Sequence, residues 1–408
     1  MSIRTLNCIV PPHVLEHLRQ SSDTAVREAA LTTLLDTTML RGQRSVRGSL
    51  LGLASPAQGR RTVFDCGHRT NLATAVLARS EDGAASADAS VDQAFDGLGS
   101  TRQFYGDVLG RNSIDDRGMR LDGYVHRGVR YNNAFWDGQE MVFGDGDGRI
   151  FTDFTGSLDV IGHELTHGVT EFTAGLEYHV QSGALNESIS DVFGSLVKQW
   201  VRQQTADQAD WLIGDEIFTP DVDADALRSL KSPGEAYDSE LLGKDPQPAH
   251  MRDFVDLPDT EAGDNGGVHV NSGIPNKAFY LVATGIGGYA WEAPGHIWYE
   301  SLRASTATTD FQGFADTTFS KAGELFGQDS VEQKAVASAW GDVGLPVSCA
   351  PKGMRSGPSG GAGGGGDPLG DLSRQVSELA RQLQELTQQV QGQPKPSGKG
   401  GRSGAGRA

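Results

Sequence analysis

The sequence predicts an α+β fold of two lobes, mostly β over residues 62–156 and helical over residues 157–347, with a histidine-bearing helix between them. Apolar and polar residues alternate as in strands at 119–125 and 129–131, with glycine-containing turns after them. From residue 157 the apolar residues recur with helical spacing as far as about Leu345. These patterns together favour a β-rich lobe followed by a helical lobe.

The composition is that of a globular protein with an acidic surface. The 408 residues are 37% hydrophobic and carry a formal net charge of −18. Nucleic acid is excluded as the main partner, because most of the surface would repel its phosphates. A membrane span is not expected, since no run of about 18 apolar residues occurs. The three cysteines are too few and too scattered for a disulfide scaffold or a structural zinc site.

Segments of different composition flank the two lobes. A compact helical segment (1–50) and a linker (51–61) precede the two lobes (62–156 and 157–347). A glycine-rich tether (348–366), a short coiled-coil-like helix (367–391) and a basic tail (392–408) follow them. Apolar residues at alternating steps of four and three over 372–390 predict either self-association through a coiled coil or a helix packed on the main body.

The segment 157–172 contains the motif His-Glu-Leu-Thr-His. In a helix His163 and His167 lie one turn apart, opposite an apolar stripe, so both imidazoles can reach one tetrahedral metal ion. Glu164 lies beside them and has the chemistry of a general base. Random placement of the 10 histidines and the glutamates would give about 0.01 such motifs in this chain. The motif therefore indicates a zinc-dependent hydrolase.

A third zinc ligand is expected on a neighbouring helix, because a catalytic zinc ion usually takes three protein ligands and one water. The helix predicted at 184–200 is apolar on one side and carries Glu187 and Asp191 on the other. Glu187 is the candidate ligand, and Asp191 can accept a hydrogen bond from the free ring nitrogen of a histidine ligand. A solvated acidic face is the alternative.

Three motifs occur in a fixed order: HELTH, GALNESISD and DNGGVHVNSG. They resemble the thermolysin family of zinc endopeptidases, and the short N-terminal segment with its Pro-Pro pair resembles the protealysin-like members. The resemblance covers about Thr62 to Leu345. It implies a thermolysin-like two-lobe metallopeptidase fold with the zinc helix between the lobes, Zn²⁺ as cofactor, and cleavage of peptide and protein substrates.

The resemblance also implies roles for single residues. The zinc ligands would be His163, His167 and Glu187, Glu164 would be the general base, and Asp191 would hydrogen-bond to a histidine ligand. His269 would stabilise the transition state, helped by Asp264 and Tyr178. Asn133, Ala134 and Arg228 would bind the substrate backbone. The family's apolar pocket corresponds to Val160, Phe151, Phe154, Ile213 and Leu227, which implies cleavage on the amino side of a bulky apolar residue.

Calcium binding is expected to be reduced relative to the family. The paired-calcium site would use Asp159, Asp210 and Asp215, but Lys198 and Leu212 replace two further acids. One bound Ca²⁺, or an ammonium group in place of the second ion, is therefore expected rather than two.

The resemblance implies that residues 1 to about 50 are an inhibitory prosegment, which the enzyme removes itself. Cleavage is expected before an apolar residue, at Leu50, Leu51 or Leu53. The thiol of Cys8 either takes the fourth zinc position or is an ordinary small buried side chain. The two cysteines beyond the prosegment, Cys66 and Cys349, either pair or remain free thiols.

Two other functions are open alternatives: a catalytically silent zinc-binding module, and an adaptor protein that acts through the C-terminal coil. The presence of both Glu164 and His269 disfavours the silent module, because a module without activity tends to lose its catalytic residues. The family resemblance implies secretion, although no Sec signal peptide is visible in the sequence. A cytoplasmic enzyme with non-classical export is the alternative.

Overall fold

The computed structural model describes residues 7–47 and 60–348. Its strands are β1 Asn7–Cys8, β2 Arg61–Asp65, β3 Val76–Ser80, β4 Leu121–Val125, β5 Ala134–Trp136, β6 Glu140–Phe143, β7 Leu212–Ile213, β8 Arg228–Ser229, β9 Asp238–Ser239 and β10 Gly243–Lys244. Its α-helices are α1 Pro12–Leu18, α2 Thr24–Arg47, α3 Ala89–Leu109, α4 Leu158–Glu171, α5 Val180–Arg202, α6 Asp264–Asn271, α7 Gly273–Ile286, α8 Ala293–Ala304, α9 Phe311–Phe326 and α10 Val331–Asp342. The predicted order of a sheet-based lobe and a helical lobe is confirmed, although the lobe predicted to be mostly β also contains the long helix α3.

The first lobe is built on a mixed sheet of six strands in the order β1-β5-β6-β4-β2-β3. Strands β2, β4 and β6 are parallel, and β5 and β6 form an antiparallel hairpin. The strand predicted at 119–125 is confirmed as β4, whereas the strand predicted at 129–131 is wrong. Arg130 has a left-handed backbone (φ 53°) and Val129 is 63% exposed, so this stretch is a turn.

Helix α3 connects this sheet to the second lobe. The Leu98 side chain on α3 packs over Gly123 of β4, where an added Cβ would lie 3.0 Å from the leucine. At the preceding residue, an added Cβ on Gly97 would lie 2.3 Å from Ile161 of α4. Two small residues therefore let α3 approach a strand and a helix closely at once.

Helices α4 and α5 cross at a pair of glycines. A Cβ on Gly194 would lie 2.5 Å from the Asp159 carbonyl oxygen and 3.0 Å from the His163 nitrogen, and one on Gly162 would lie 3.0 Å from the Gly194 Cα. The two backbones therefore touch without intervening side chains. From Asp159 to Thr170, α4 is buried on every side, so it is a central helix of the molecule.

The N-terminal segment packs against both lobes. Its strand β1 pairs antiparallel with β5, and Cys8 lies opposite Phe135. Three α1 side chains, Val14, Leu15 and Leu18, are buried in the main apolar core. The predicted helical character of this segment is confirmed by α1 and α2.

A buried lysine holds the loop after α5. The Lys198 ammonium lies 2.7 Å from Asp159, 3.2 Å from Asp210 and 3.0 Å from Asp215, and it donates to the Leu212 carbonyl oxygen at 3.1 Å. Burial alone would lower the pKa of Lys198, but the three carboxylates raise it above its usual value, so the group stays charged. The Lys198 ammonium group thus lies among the three acids that the resemblance assigned to calcium binding. The binding of one calcium ion stays a prediction.

Among the described residues, no helix is long and apolar enough to span a bilayer. The predicted domain boundaries stay predictions. The processing bonds at Leu50, Leu51 and Leu53, the tether, the coil at 372–390, the basic tail and Cys349 lie outside the described residues. Cys66 is buried, and burial raises the pKa of its thiol to about 12.

The helix crossing predicts a large effect of one methyl group. Gly194→Ala should force α4 and α5 apart and destabilise the protein by about 1–3 kcal/mol, with a parallel loss of bound zinc. Thermal unfolding and metal analysis measure both effects. Gly341→Ala in α10 is the matched control, because its Cβ would meet nothing within 4 Å. Equal unfolding temperatures for the two variants would contradict the crossing.

The buried lysine predicts an inducible calcium dependence. Lys198→Met leaves three carboxylates without their cation, which should destabilise the fold by about 3–5 kcal/mol. Added calcium should restore much of the unfolding temperature of this variant and raise that of the wild type much less. Lys334→Met at an exposed position is the control. A variant as stable as the wild type, or indifferent to calcium, would contradict the argument.

Candidate active site

Three buried side chains from α4 and α5 converge on one point. His163 Nε2 and His167 Nε2 lie 3.0 Å apart, and Glu187 Oε2 and Oε1 lie 3.5 and 3.4 Å from them, respectively. These are the only three described residues whose histidine, cysteine or carboxylate ligand atoms lie within 4.8 Å of one another. The structure therefore brings the three predicted zinc ligands together.

The chemistry of this cluster fits a zinc ion. Burial lowers the pKa of His167 to about 3, so the imidazole is neutral, as a metal ligand must be. Burial alone would raise the pKa of Glu187, but His269, His167 and His163 hold it below its usual value. Glu187 Oε2 is buried and makes no hydrogen bond. A carboxylate oxygen and two imidazole nitrogens thus face each other with a ligand position free on each.

The outer ring nitrogens fix the orientation of both histidines. His163 Nδ1 donates to Asp191 Oδ1 at 2.8 Å, as predicted. His167 Nδ1 lies 2.8 Å from Asn186 Oδ1 and 3.0 Å from Ser190 Oγ. These two partners were not predicted, although Asn186 directly precedes Glu187 in the sequence. With Nδ1 protonated, each Nε2 lone pair points at the cluster.

Asp191 is the centre of a buried polar network. Its two carboxylate oxygens accept from Arg228 Nε and Nη2, each at 2.8 Å, and Oδ2 also accepts from Asn276 at 2.9 Å. Burial alone would raise the pKa of Asp191, but the Arg228 guanidinium holds it far below its usual value. Asn276 on α7 is a third residue that the sequence did not single out. Arg228 is therefore fixed by two hydrogen bonds before it meets any ligand.

Glu164 lies beside the metal cluster and is fully buried. Its Oε2 accepts from the Trp136 backbone nitrogen at 3.0 Å, which anchors the carboxylate to β5. Burial, and then repulsion by Glu187, raises its pKa well above the usual value. A carboxylate with a high pKa can accept a proton and release it again.

His269 faces the cluster from α6. Asp264 accepts from its Nδ1 at 2.6 Å and from its backbone nitrogen at 2.8 Å. This double contact depends on left-handed backbone at Asp264, Asn265, Gly266 and Gly267 (φ 49° to 82°), which turns the chain back before the helix proper. Burial opposes a charge on the ring, but Asp264 raises the pKa of His269 to about 9. Asp264, and after it Glu187, thus favours the imidazolium form of His269.

Tyr178 joins the two halves of the site. Its hydroxyl donates to Glu187 Oε1 and lies 3.4 Å from His269 Nε2. Tyr178 therefore lies near His269, as the resemblance implied, but its hydroxyl donates to Glu187.

The N-terminal segment runs through the cleft along β5. Ile9 N donates to the Ala134 carbonyl oxygen at 3.2 Å, and Val10 N donates to Asn133 Oδ1 at 3.0 Å. The Ile9 carbonyl oxygen accepts from Arg228 Nη1 at 3.0 Å. The three residues predicted to bind a substrate backbone thus hydrogen-bond to the backbone of this segment.

The predicted pocket residues are all buried. Val160, Phe151, Phe154, Ile213 and Leu227 belong to the main apolar core, and the fully buried Ile9 belongs to the same core. Phe151 also stacks on Phe218, at a centroid distance of 5.2 Å. The apolar side chain of Ile9 is thus fully buried in the same core that contains the predicted pocket residues.

Cys8 does not use its thiol at the metal cluster. Its side chain packs with Tyr131, Phe135 and Val142 on the opposite side of the segment, while its carbonyl oxygen lies 3.1 Å from His269 Nε2. The expectation of a zinc-bound Cys8 thiolate is therefore wrong, because alternate side chains of an extended strand point to opposite faces. The buried-cysteine alternative is what the structure shows.

Two family models match the chain. Residues 43–171 match the thermolysin metallopeptidase catalytic domain, and residues 174–345 match the thermolysin metallopeptidase alpha-helical domain. Together they cover most of the chain, including every predicted site residue.

Curated relatives and a solved structure agree with these matches. Protease PrtS of Photorhabdus sp. (strain Az29) is 45% identical over 83% of this chain and 92% of its own length. An extracellular metalloprotease of Pectobacterium carotovorum subsp. carotovorum is 44% identical over 85% of this chain and 99% of its own. The precursor of protealysin from Serratia proteamaculans superposes with a TM-score of 0.74 at 46% identity, over 83% of this chain and 99% of that one. The chain belongs to the thermolysin family of zinc metallopeptidases, the family that its converging histidines, glutamate and general base had indicated.

Proposed function

We propose that the protein is a zinc endopeptidase made as a self-processing zymogen, which cleaves peptide bonds on the amino side of bulky apolar residues. The observation that carries the proposal is the extended segment in the cleft, whose Ile9 hydrogen-bonds through its backbone to Ala134 and Arg228. A protein substrate would bind to the same groups after this segment has left.

The residues around the cluster have complementary tasks in peptide hydrolysis. Zinc, when bound, supplies a Lewis acid and lowers the pKa of water towards neutrality. Glu164 would take the proton of the attacking water and pass it to the departing amine. His269, held as an imidazolium by Asp264, would donate a hydrogen bond to the oxyanion, and Tyr178 would add a second after turning away from Glu187.

The proposed preference rests on the burial of Ile9. Its side chain is 0% exposed within the same apolar core as Val160 and Leu227. A β-branched or larger apolar residue just after the cleaved bond would gain this burial. Discrimination among apolar residues should be broad, since one methylene changes binding by about 1–3 kcal/mol.

Inhibition by the N-terminal segment follows from its position in the cleft. Segment 8–10 covers the edge of β5 and contacts both His269 and Arg228, so a substrate cannot bind there at the same time. Processing before Leu50, Leu51 or Leu53 would detach the segment from the enzyme. A catalytically silent module is disfavoured, because Glu164 is present and His269 Nε2 lies 3.6 Å from Glu187 Oε2.

Secretion is part of the proposal, since the Pectobacterium relative is named an extracellular metalloprotease. The export route and self-association through 372–390 stay predictions. The general test is digestion of casein by purified protein with and without a zinc chelator. Absence of chelator-sensitive digestion after processing would contradict the proposed function.

Replacement of the general base should separate metal binding from catalysis. Glu164→Gln should keep its zinc and lose roughly three powers of ten in turnover, because the ligands remain and the base does not. Metal analysis and peptide hydrolysis measure the two quantities. His269→Ala is the companion variant and should also keep zinc, with a loss of roughly 10²–10³-fold. Release of zinc by either variant would contradict the ligand set.

Acid should loosen the prosegment through His13. The His13 ring is partly buried on α1, its Nε2 lies 2.9 Å from the Tyr237 hydroxyl, and its Nδ1 makes no hydrogen bond. Burial lowers its pKa to about 4, against an attraction to Asp264, and His269 and Arg228 lower it further. The docked state therefore prefers neutral His13. The stability this provides is complete above about pH 6.5 and falls as the pH drops towards 4.

At pH 5 the docking equilibrium should weaken by about ten-fold relative to pH 7.5, given the partial exposure of the ring. Hydrogen exchange of the α1 amides in full-length Glu164→Gln protein measures docking without self-cleavage. Adding His13→Gln keeps a polar side chain near Tyr237 and removes the titration. An unchanged pH dependence in the double variant would assign the effect to other groups.

A further inference from the structure

The contacts of the prosegment define a register along the cleft. Going along the chain, the Cys8 carbonyl oxygen lies 3.1 Å from His269 Nε2, and the Ile9 carbonyl oxygen accepts from Arg228. Between them, Ile9 N donates to the Ala134 carbonyl oxygen on β5, the strand whose Trp136 nitrogen holds Glu164. The next amide, Val10 N, is held by Asn133. Each backbone group from Cys8 to Val10 therefore meets a different part of the site.

This register puts one particular peptide bond at the reacting centre. A carbonyl oxygen beside the oxyanion donor and an amide nitrogen beside the general base are the two ends of a bond about to be hydrolysed. We propose that the Cys8–Ile9 bond is an internal cleavage site, cut by the same active site that it covers. This proposal rests on the proposed function and adds a second processing bond, distinct from the one in the linker.

The reaction needs only water and the groups already described. Water oxygen would attack the Cys8 carbonyl carbon, and Glu164 would take one of its protons. The carbon–nitrogen bond then breaks as Glu164 returns the proton to the Ile9 nitrogen. The second water proton passes from the new Cys8 carboxyl group to the same nitrogen, so the products are a Cys8 carboxylate and an Ile9 ammonium group. No oxidant, reductant or further reactant is required.

The two products would differ in how they are held. Of the first eight residues, Asn7 and Cys8 pair with β5, and Cys8 also packs with Tyr131, Phe135 and Val142 and contacts His269 through its carbonyl oxygen. The part that begins at Ile9 keeps the contacts to Arg228 and Asn133, and it continues into Pro11 and Pro12, whose rings restrict the backbone, and into the buried face of α1. Cleavage at Cys8–Ile9 should therefore release the first eight residues and leave the rest of the prosegment docked.

A retained product is still an inhibitor. The Ile9 amine would remain next to Glu164, and the Ile9 side chain would remain buried, so the place of a substrate's apolar residue stays filled. The cut form should consequently be as inactive towards casein as the intact form until the linker is also cleaved. The cut at Cys8–Ile9 marks a correctly docked zymogen and does not activate it.

The test is to incubate purified full-length protein and sequence the N-termini over time. The wild type should produce a chain beginning Ile9-Val10-Pro11, and Glu164→Gln should not. Ile9→Gly should reduce cleavage at this bond by about ten-fold or more, because the buried side chain is lost. Leu35→Ala is the matched control: Leu35 is 58% exposed on α2, and this variant should cut like the wild type.

Hydrogen exchange supplies a readout that does not require turnover. In full-length Glu164→Gln, the amides of Ile9 and Val10 should be protected, since both donate to groups on β5 or its flank, and Ile9→Gly should lower that protection. Unprotected amides at both positions would overturn the register and with it the proposal.

The remaining outcomes separate this proposal from the proposed function. A protein that matures at the linker and digests casein while Cys8–Ile9 stays intact overturns the internal cleavage alone. A protein that shows neither linker processing nor chelator-sensitive casein digestion overturns the proposed function and this proposal together.

Discussion

The contact between α4 and α5 at Gly162 and Gly194 is the constraint on which the active site depends. It brings two helix backbones together without side chains between them, so Glu187 on one helix can reach the histidines on the other. Neither helix could hold the cluster alone, because His163 and His167 supply only two of three ligands. The Asp191 network then fixes the rotation of α5, since its carboxylate meets both His163 and Arg228.

The N-terminal segment uses this prepared site as a substrate would. Strand addition to β5 supplies backbone hydrogen bonds that are independent of side-chain identity, whereas the burial of Ile9 depends on its shape. The helices that follow add buried apolar contacts from residues such as Leu15, Leu18 and Val26. The contacts are thus spread over strand β1 and the following helices, and under the proposal the contact of Cys8 with His269 would decide which bond is presented.

The local part of the site could be predicted from the sequence, and the rest could not. The spacing of His163 and His167 on one helix is a short-range pattern, and Glu187 stands out as an acid on an apolar helix. The orientation of Cys8 is different, because its carbonyl meets His269 across 261 positions of sequence and its side-chain direction depends on strand register. Arg130 has a left-handed backbone that alternation of apolar residues cannot reveal, which is why a strand was wrongly predicted there.

The buried Lys198 has a consequence for how chelation experiments can be interpreted. An ion bound from solution has a dissociation constant, so dilution or a competing ligand can strip it from the fold. A side-chain ammonium is tethered to the backbone and has no such equilibrium, and its local concentration among Asp159, Asp210 and Asp215 never changes. At this position a chelator therefore has nothing to remove. Inactivation by a chelator would then report on the catalytic ion rather than on a collapsing scaffold, and restoring the ion alone should restore the enzyme.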